Sequence, residues 1–177
     1  MAERGEAIVL IGFMGSGKSS VGRELAARTG LPRYDTDEMI SARYGLSIAE
    51  IFAQHGEEAF RAAETEALAQ VPAFRAIVVP GGGIVLREEN VARLREFGIV
   101  VHLTADEETL FERVSRRQTR PLLQTENPRG TLSEMLCVRE PLYHQAADLT
   151  VDTSELRHEE VADRILEQIA ELRLHAS

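Results

Sequence analysis

The chain has 177 residues, 44% of them hydrophobic and 28% charged, enough for one ordinary core and too apolar for a disordered chain. A formal net charge of -9 and a pI near 5.1 give an acidic surface that repels a nucleic-acid backbone, so DNA and RNA are not expected partners. The single cysteine, Cys137, excludes an internal disulfide and a thiolate metal cluster, and the five histidines show no metal-binding spacing. The apolar run at residues 7–11 is too short for a signal-peptide core or a membrane span, so a soluble cytoplasmic protein with no membrane association is expected.

Residues 7–11, Ala-Ile-Val-Leu-Ile, form an unbroken apolar run that predicts a central strand covered on both faces. A glycine-rich loop follows, then a helix over 18–29 with Val21, Leu25 and Ala26 on one face and Gly30 as its stop signal. Residues 31–35 read as a second, shorter strand, followed by helices over 38–44 and 48–69, the latter with Ser47 as N-cap. A buried strand over 76–79 is stopped by Pro80 and three glycines. A helix over 91–97 leads to a strand over 98–103. Thr104, with Glu107 three residues on, resembles a capping box for a helix reaching about residue 116. Residues 118–130 form a loop by composition, with Pro121, Asn127, Pro128 and Gly130. The pattern is helical again over 132–147, with Pro141 bending or splitting it. A strand over 149–151 and an amphipathic helix over 159–172 close the chain. Strands alternating with helices predict an α/β fold: a parallel sheet with helices on both faces, three layers in all, in a single domain over 1–177.

Gly12-Phe13-Met14-Gly15-Ser16-Gly17-Lys18-Ser19 matches G-x-x-x-x-G-K-[ST] between a buried strand and a helix. Glycines let the backbone turn its amides inward, and those amides with the helix N-terminus bind phosphate oxygens. Lys18 can reach the terminal phosphates, and Ser19 can ligate Mg²⁺ through its hydroxyl. A nucleoside triphosphate is therefore the expected ligand, although motors, switches and small-molecule kinases all use such a loop.

Asp35 and Asp37 follow the second strand, where a doubly wound sheet opens its ligand crevice. One carboxylate could support Mg²⁺ and the other accept a hydrogen bond from a hydroxyl nucleophile; a helix N-cap accounts for either equally well. Arg61, with Glu64 one turn on, is by itself an ordinary surface pair. Gly81, Gly82 and Gly83 directly after a buried strand suggest a backbone that approaches a ligand closely. Arg113, Arg116, Arg117 and Arg120 crowd around the 118–130 loop; they suit a lid that closes on transferred phosphate, or equally a solvated basic loop. Arg139 alone is uninformative.

In this order and in a chain this short, the phosphate loop, Asp35-Thr36-Asp37, Phe60-Arg61 with Glu64, Gly81-Gly82-Gly83, Arg120-Pro121-Leu122-Leu123 and Arg139-Glu140-Pro141-Leu142-Tyr143 resemble the shikimate kinase family. The match covers roughly residues 7–172. The resemblance implies a monomeric P-loop kinase fold with a five-stranded parallel sheet, substrate-binding helices at about 37–70 and a mobile lid at about 115–130. It implies transfer of the γ-phosphoryl of ATP to the 3-hydroxyl of shikimate, with Mg²⁺, in aromatic amino-acid biosynthesis. Carried over by motif, ATP would be held by Gly15, Ser16, Gly17, Lys18, Ser19, Ser20, Arg113 and Arg120, with Arg113 against the adenine and Arg120 coming from the lid. Lys18, Asp37 and Arg120 would be catalytic, and Ser19 and Asp35 would serve the metal. Shikimate would be bound by Asp37, Arg61, Gly82 and Arg139, two arginines being suited to bidentate recognition of its carboxylate.

The chain departs from the family pattern at Pro80, where a small or hydroxylated residue is more usual, and at residues 154–158, an adenine-side loop without an obvious proline. Ser20 also stands where threonine is frequent. A gluconate kinase would share the loop and the lid but does not call for Asp37, Arg61, Arg139 and the glycine triplet together. A non-catalytic ATP-dependent switch would need no hydroxyl-orienting carboxylate.

Overall fold

The computed structural model describes residues 4–72, 74–117 and 121–175. Strands β1 (Ala7–Ile11), β2 (Arg33–Asp35), β3 (Ile77–Val79), β4 (Gly98–Thr104) and β5 (Leu149–Asp152) form one parallel sheet in the order β2-β3-β1-β4-β5. Helices α1 (Lys18–Thr29), α2 (Thr36–Tyr44), α3 (Ile48–Gln70), α4 (Glu88–Phe97), α5 (Glu107–Ser115), α6 (Pro128–Ala146) and α7 (His158–His175) connect and follow them.

The unbroken apolar run of β1 has a direct physical reason. Val9 and Ile11 point to one side of the sheet, into a cluster with Leu94, Phe97, Leu132 and Tyr143. Ile8 and Leu10 point to the other, into a cluster with Val21, Leu25, Val161 and Ile165. Side chains alternate across a strand, so only a strand covered on both faces needs apolar residues at every position. Burying each such aliphatic side chain contributes about 1.5–3 kcal/mol. A third cluster, Ile40, Ile51, Phe60, Ala63 and Ala67, holds α2 against α3. β1 is hydrogen-bonded to both β3 and β4, with Ile8 opposite Ile77 and Ile11 opposite His102. The order of the sheet reverses around β1, so the crevice opens where the phosphate loop leaves it.

Several boundaries differ from the sequence expectation. Thr104 does not cap α5: it is the last residue of β4, paired with Asp152, and Asp106 caps instead, accepting from the Thr109 amide at 2.8 Å. α4 begins at Glu88, three residues earlier than its apolar pattern, because its first turn carries Glu88 and Glu89. Acidic residues there favour the positive end of the helix and leave no hydrophobic signal. α6 begins at Pro128, so Gly130 lies in a first turn rather than a loop, capped by Asn127, which accepts from the Gly130 amide at 3.1 Å. Pro141 sits inside α6 without dividing it. In α3 it is Gly56, at φ 83° and ψ 172°, that interrupts the helical backbone. Gly30 and Ser47 act as expected, Gly30 as a left-handed stop and Ser47 in a full capping box with Glu50. No helix among the described residues is long and apolar enough to cross a membrane.

Candidate active site

Two cavities meet at the C-terminal edge of the sheet. The first follows the phosphate loop and is lined by Gly15, Gly17, Lys18, Ser19, Ser20, Asp35, Pro80, Arg113, Arg116, Arg117 and His158. The second is lined by Ile48, Phe52, Phe60, Arg61, Glu64, Gly83, Pro121, Leu122 and Arg139. Met14, Asp37, Gly81 and Gly82 line both. Asp37 therefore stands at the seam.

The loop is built as its sequence requires. Gly17 is the N-cap of α1 at φ 93°, a left-handed backbone that few side chains tolerate. The Lys18 ammonium donates to the Gly12 carbonyl at 2.7 Å and the Phe13 carbonyl at 3.0 Å, spanning the loop it belongs to. Ser16 is buried, and its side chain lies under the loop beside Gly12 rather than along the cavity wall. Ser19 and Ser20 line the cavity. Arg113 donates to the Thr153 hydroxyl at 3.0 Å, the Thr153 carbonyl at 2.8 Å and the Gly15 carbonyl at 3.3 Å. It thereby ties the phosphate loop to the segment after β5. His158, at the start of α7, lies beside Gly17. His158 is not among the expected site residues, although it ends the 154–158 stretch that the family resemblance puts on the adenine side.

Asp35 and Asp37 divide their work. Asp35, 6% exposed, is the N-cap of α2; its Oδ1 accepts from the amides of Asp37 and Glu38 at 3.0 and 3.2 Å. Its Oδ2 accepts from the Ser19 hydroxyl at 3.1 Å and lies 3.5 Å from Arg33. Asp37 is in the first turn of α2 and faces Gly81.

Arg61 and Glu64 do not form a surface pair. They are 7% and 1% exposed, and Arg61 donates to Glu64 at 2.7 Å. Arg61 also donates to Glu57 at 3.4 Å, and its guanidinium lies 5.5 Å from the centre of the Phe60 ring. Burial pushes the Glu64 carboxyl above its ordinary pKa, Arg61 pulls it back, and Asp37 adds to the rise. The glycine triplet is shaped by these neighbours. A Cβ on Gly83 would sit 2.1 Å from an Arg61 nitrogen, and one on Gly81 would sit 2.5 Å from Glu64 Oε1. Arg139, buried in α6, approaches from the other side, its guanidinium 5.8 Å from the centre of the Phe13 ring. Tyr143, one turn on, donates its hydroxyl to the Gly82 carbonyl at 2.5 Å. Burial raises its pKa to about 12, so the phenol stays a donor.

The structure thus brings Asp37, Arg61, Gly82 and Arg139 to one cavity and Gly15, Gly17, Lys18, Ser19, Ser20, Asp35 and Arg113 to the adjoining one. Arg120 lies outside the described residues. Tyr143 was quoted only as part of a motif; its contact with Gly82 depends on packing between distant segments and leaves no local signal.

Comparison with known proteins matches this arrangement. The family model described as shikimate kinase covers residues 14–170. The chain is 45% identical over 166 residues to the shikimate kinase of Thermodesulfovibrio yellowstonii, covering 93% of this chain and 95% of that one. It superposes on a shikimate kinase from Acinetobacter baumannii in complex with shikimate with a TM-score of 0.89, at 36% identity, covering 96% of each chain. Against shikimate kinase from Aquifex aeolicus the TM-score is 0.80 at 36% identity, covering 95% of this chain and 98% of that one.

Proposed function

Since the chain belongs to the shikimate kinase family, an ATP-dependent kinase that phosphorylates a shikimate hydroxyl, we propose how its residues divide that reaction between them. The observation that carries the proposal is Asp37 at the seam of two cavities, one rich in phosphate-binding groups and one holding two buried arginines.

The loop amides from Gly15 to Ser19 and the N-terminus of α1 hold the ATP phosphates. Ser16 contributes its backbone rather than its buried hydroxyl. Lys18 meets the phosphoryl group in transfer, and Arg120 adds charge from the 115–130 lid as it closes. Arg113 meets the adenine, a role supported by its place on the nucleotide cavity and its bonds to Gly15 and Thr153. Arg61 and Arg139 grip the shikimate carboxylate by bidentate hydrogen bonds. The Gly82 backbone meets a substrate oxygen, oriented through its bond from Tyr143. Asp37 accepts the hydrogen bond of the 3-hydroxyl and aims it at the γ-phosphorus, and takes its proton as the bond to phosphorus forms.

The residues present fit Mg²⁺. Ser19 and Asp35 offer oxygen donors 3.1 Å apart on the wall of the nucleotide cavity, the ligand type this ion takes. Asp35 Oδ1 is committed to capping α2, so its support reaches the ion's water shell through Oδ2. When bound, the ion neutralises charge on the phosphate oxygens.

The whole of 1–177 acts as one domain, a monomer working in the cytoplasm. Exposed large apolar side chains, such as Phe74, Val138 and Leu174, are scattered over separate elements, which supports the monomer. Light scattering tests it.

The activity test is direct. Purified protein with Mg²⁺ and ATP should form ADP rapidly only when shikimate is added. Equal turnover without shikimate, or faster turnover with gluconate, would overturn the assignment.

A further inference from the structure

Between β4 and α6 lies a cluster to which the proposed phosphoryl transfer assigns no role. His102 projects from β4, while Glu140 and His144 sit one turn apart on α6. Glu140 Oε1 is 3.1 Å from His144 Nε2 and 4.0 Å from His102 Nε2. One donor atom from each of the three lies within 4.8 Å of the other two. The sequence gives no hint of it, because His102 reaches its partners only through the packing of α6 on the sheet.

We propose that His102, Glu140 and His144 form a binding site for a divalent transition-metal ion of the zinc class.

Two imidazoles and one carboxylate, with a fourth position open to water, are a donor set such ions take. A tetrahedral ion about 2.0–2.1 Å from each donor needs donors about 3.3 Å apart. One pair already meets that spacing, and the wider gaps close by side-chain rotation. The residues able to move are the right ones: His144 is 57% exposed and Glu140 32%. His102 is 1% exposed and anchored, its strand paired with Ile11 of β1 and Thr150 of β5. Its ring stacks on Tyr143, with centroids 5.1 Å apart, and meets the His144 ring edge-on at 5.1 Å.

One feature sets the affinity class. The other ring nitrogen, Nδ1, is buried with no hydrogen-bond partner, whereas ligating histidines usually donate that N–H to an acceptor. Lack of that support costs about 10- to 100-fold in affinity, so the site belongs in the micromolar range rather than with tight structural zinc sites. Mg²⁺, which takes oxygen ligands and keeps its waters, is not a competitor here. A bound ion would tie α6, and with it Arg139, to β4.

The test uses tag-free, chelator-treated protein in millimolar Mg²⁺ without nucleotide. Zn²⁺ is titrated against a chromogenic competitor, and Co²⁺ is added separately to read its visible spectrum. One ion per chain and an intense Co²⁺ band of tetrahedral type are expected. His144→Ala and Glu140→Gln, both outside the substrate contacts, should each weaken Zn²⁺ binding at least 10-fold while shikimate phosphorylation without Zn²⁺ stays at the wild-type rate. Unchanged Zn²⁺ affinity in both variants, or wild-type binding weaker than about 100 μM, would overturn the proposal. The 10-fold threshold is the smaller end of the roughly 10- to 100-fold cost of losing even an outer-shell partner, which the loss of a ligand should at least match.

Discussion

Ser19 donates its hydroxyl to Asp35 across 3.1 Å, and the other oxygen of the same carboxylate caps the helix that carries Asp37. The phosphate loop is thereby tied to the start of α2 through one buried side chain, and on the proposed division of roles this links the donor end of the reaction to the acceptor end. Two substitutions separate the two roles. Asp35→Asn keeps an oxygen for the cap and loses the charge, so stability should change little while the Mg²⁺ concentration for half-maximal activity rises several-fold. Asp35→Ala should show the same Mg²⁺ defect and lose about 1 kcal/mol in addition, the usual effect of removing an N-cap. Urea unfolding and a Mg²⁺ titration of the rate check both; an unchanged Mg²⁺ requirement in Asp35→Asn would remove Asp35 from the metal's surroundings.

Asp37 lines both cavities, and its replacement by Asn keeps the shape while weakening it as an acceptor and removing it as a base. Turnover should fall by about 10²- to 10⁴-fold, the range for a general base, with ATP affinity nearly unchanged. Nucleotide binding by calorimetry beside the coupled assay measures the two separately. A rate within a few-fold of wild type would show that another group serves the hydroxyl.

How much of this was open to sequence reading follows from how far each feature reaches along the chain. The phosphate loop was legible because all its parts lie within residues 12–19, between a strand and a helix that announce themselves by period. Gly81, Gly82 and Gly83 were legible as a place of close approach, but not for what approaches: Glu64, Asp37 and Arg61 come from other elements. Arg61 and Glu64 had the right spacing for a pair, and only the packing of α3 reveals that it is buried. The division between Asp35 and Asp37 depended on which residue α2 starts after: it starts at Thr36 rather than Glu38, and that shift of two residues makes Asp35 the cap and leaves Asp37 in the first turn. The early starts of α4 and α6 were missed because polar first turns carry no hydrophobic signal. The substrate came from the resemblance, and residue spacing alone stopped at a triphosphate.

Gly83 holds open the space that the Arg61 guanidinium fills, since a Cβ there would lie 2.1 Å from one of its nitrogens. Gly83→Ala should therefore reproduce the defect of an Arg61 variant without touching Arg61. Arg61→Lys keeps the charge and loses the fork; its KM for shikimate should rise about 10- to 100-fold, matching the 1.5–3 kcal/mol of a charge-assisted hydrogen bond. The KM for ATP should stay near wild type in both. A shikimate KM that Gly83→Ala leaves unchanged would show that Arg61 is not needed where the structure places it.

Glu64 supplies a pH test. Its burial raises the carboxyl above the ordinary 4.5, so the native state holds that proton where the unfolded chain has released it. Between 4.5 and the raised folded value the native state binds more protons than the unfolded one, and its stability must fall as pH rises. The contribution of the protonated carboxyl is thus full below the unfolded pKa and lost as pH passes through the folded one. Glu64→Gln cannot ionise and escapes this loss, though it also weakens the bond to Arg61, a cost that shifts all pH values together. Urea unfolding of both proteins from pH 4 to 7 should show the wild type losing ground to Glu64→Gln with rising pH, by no more than about 1.4 kcal/mol per pH unit for one proton. A difference that is flat over this range would mean that Arg61 offsets burial and leaves no shift, and one that grows in favour of the wild type would mean that Arg61 outweighs burial; either result would overturn the raised carboxyl.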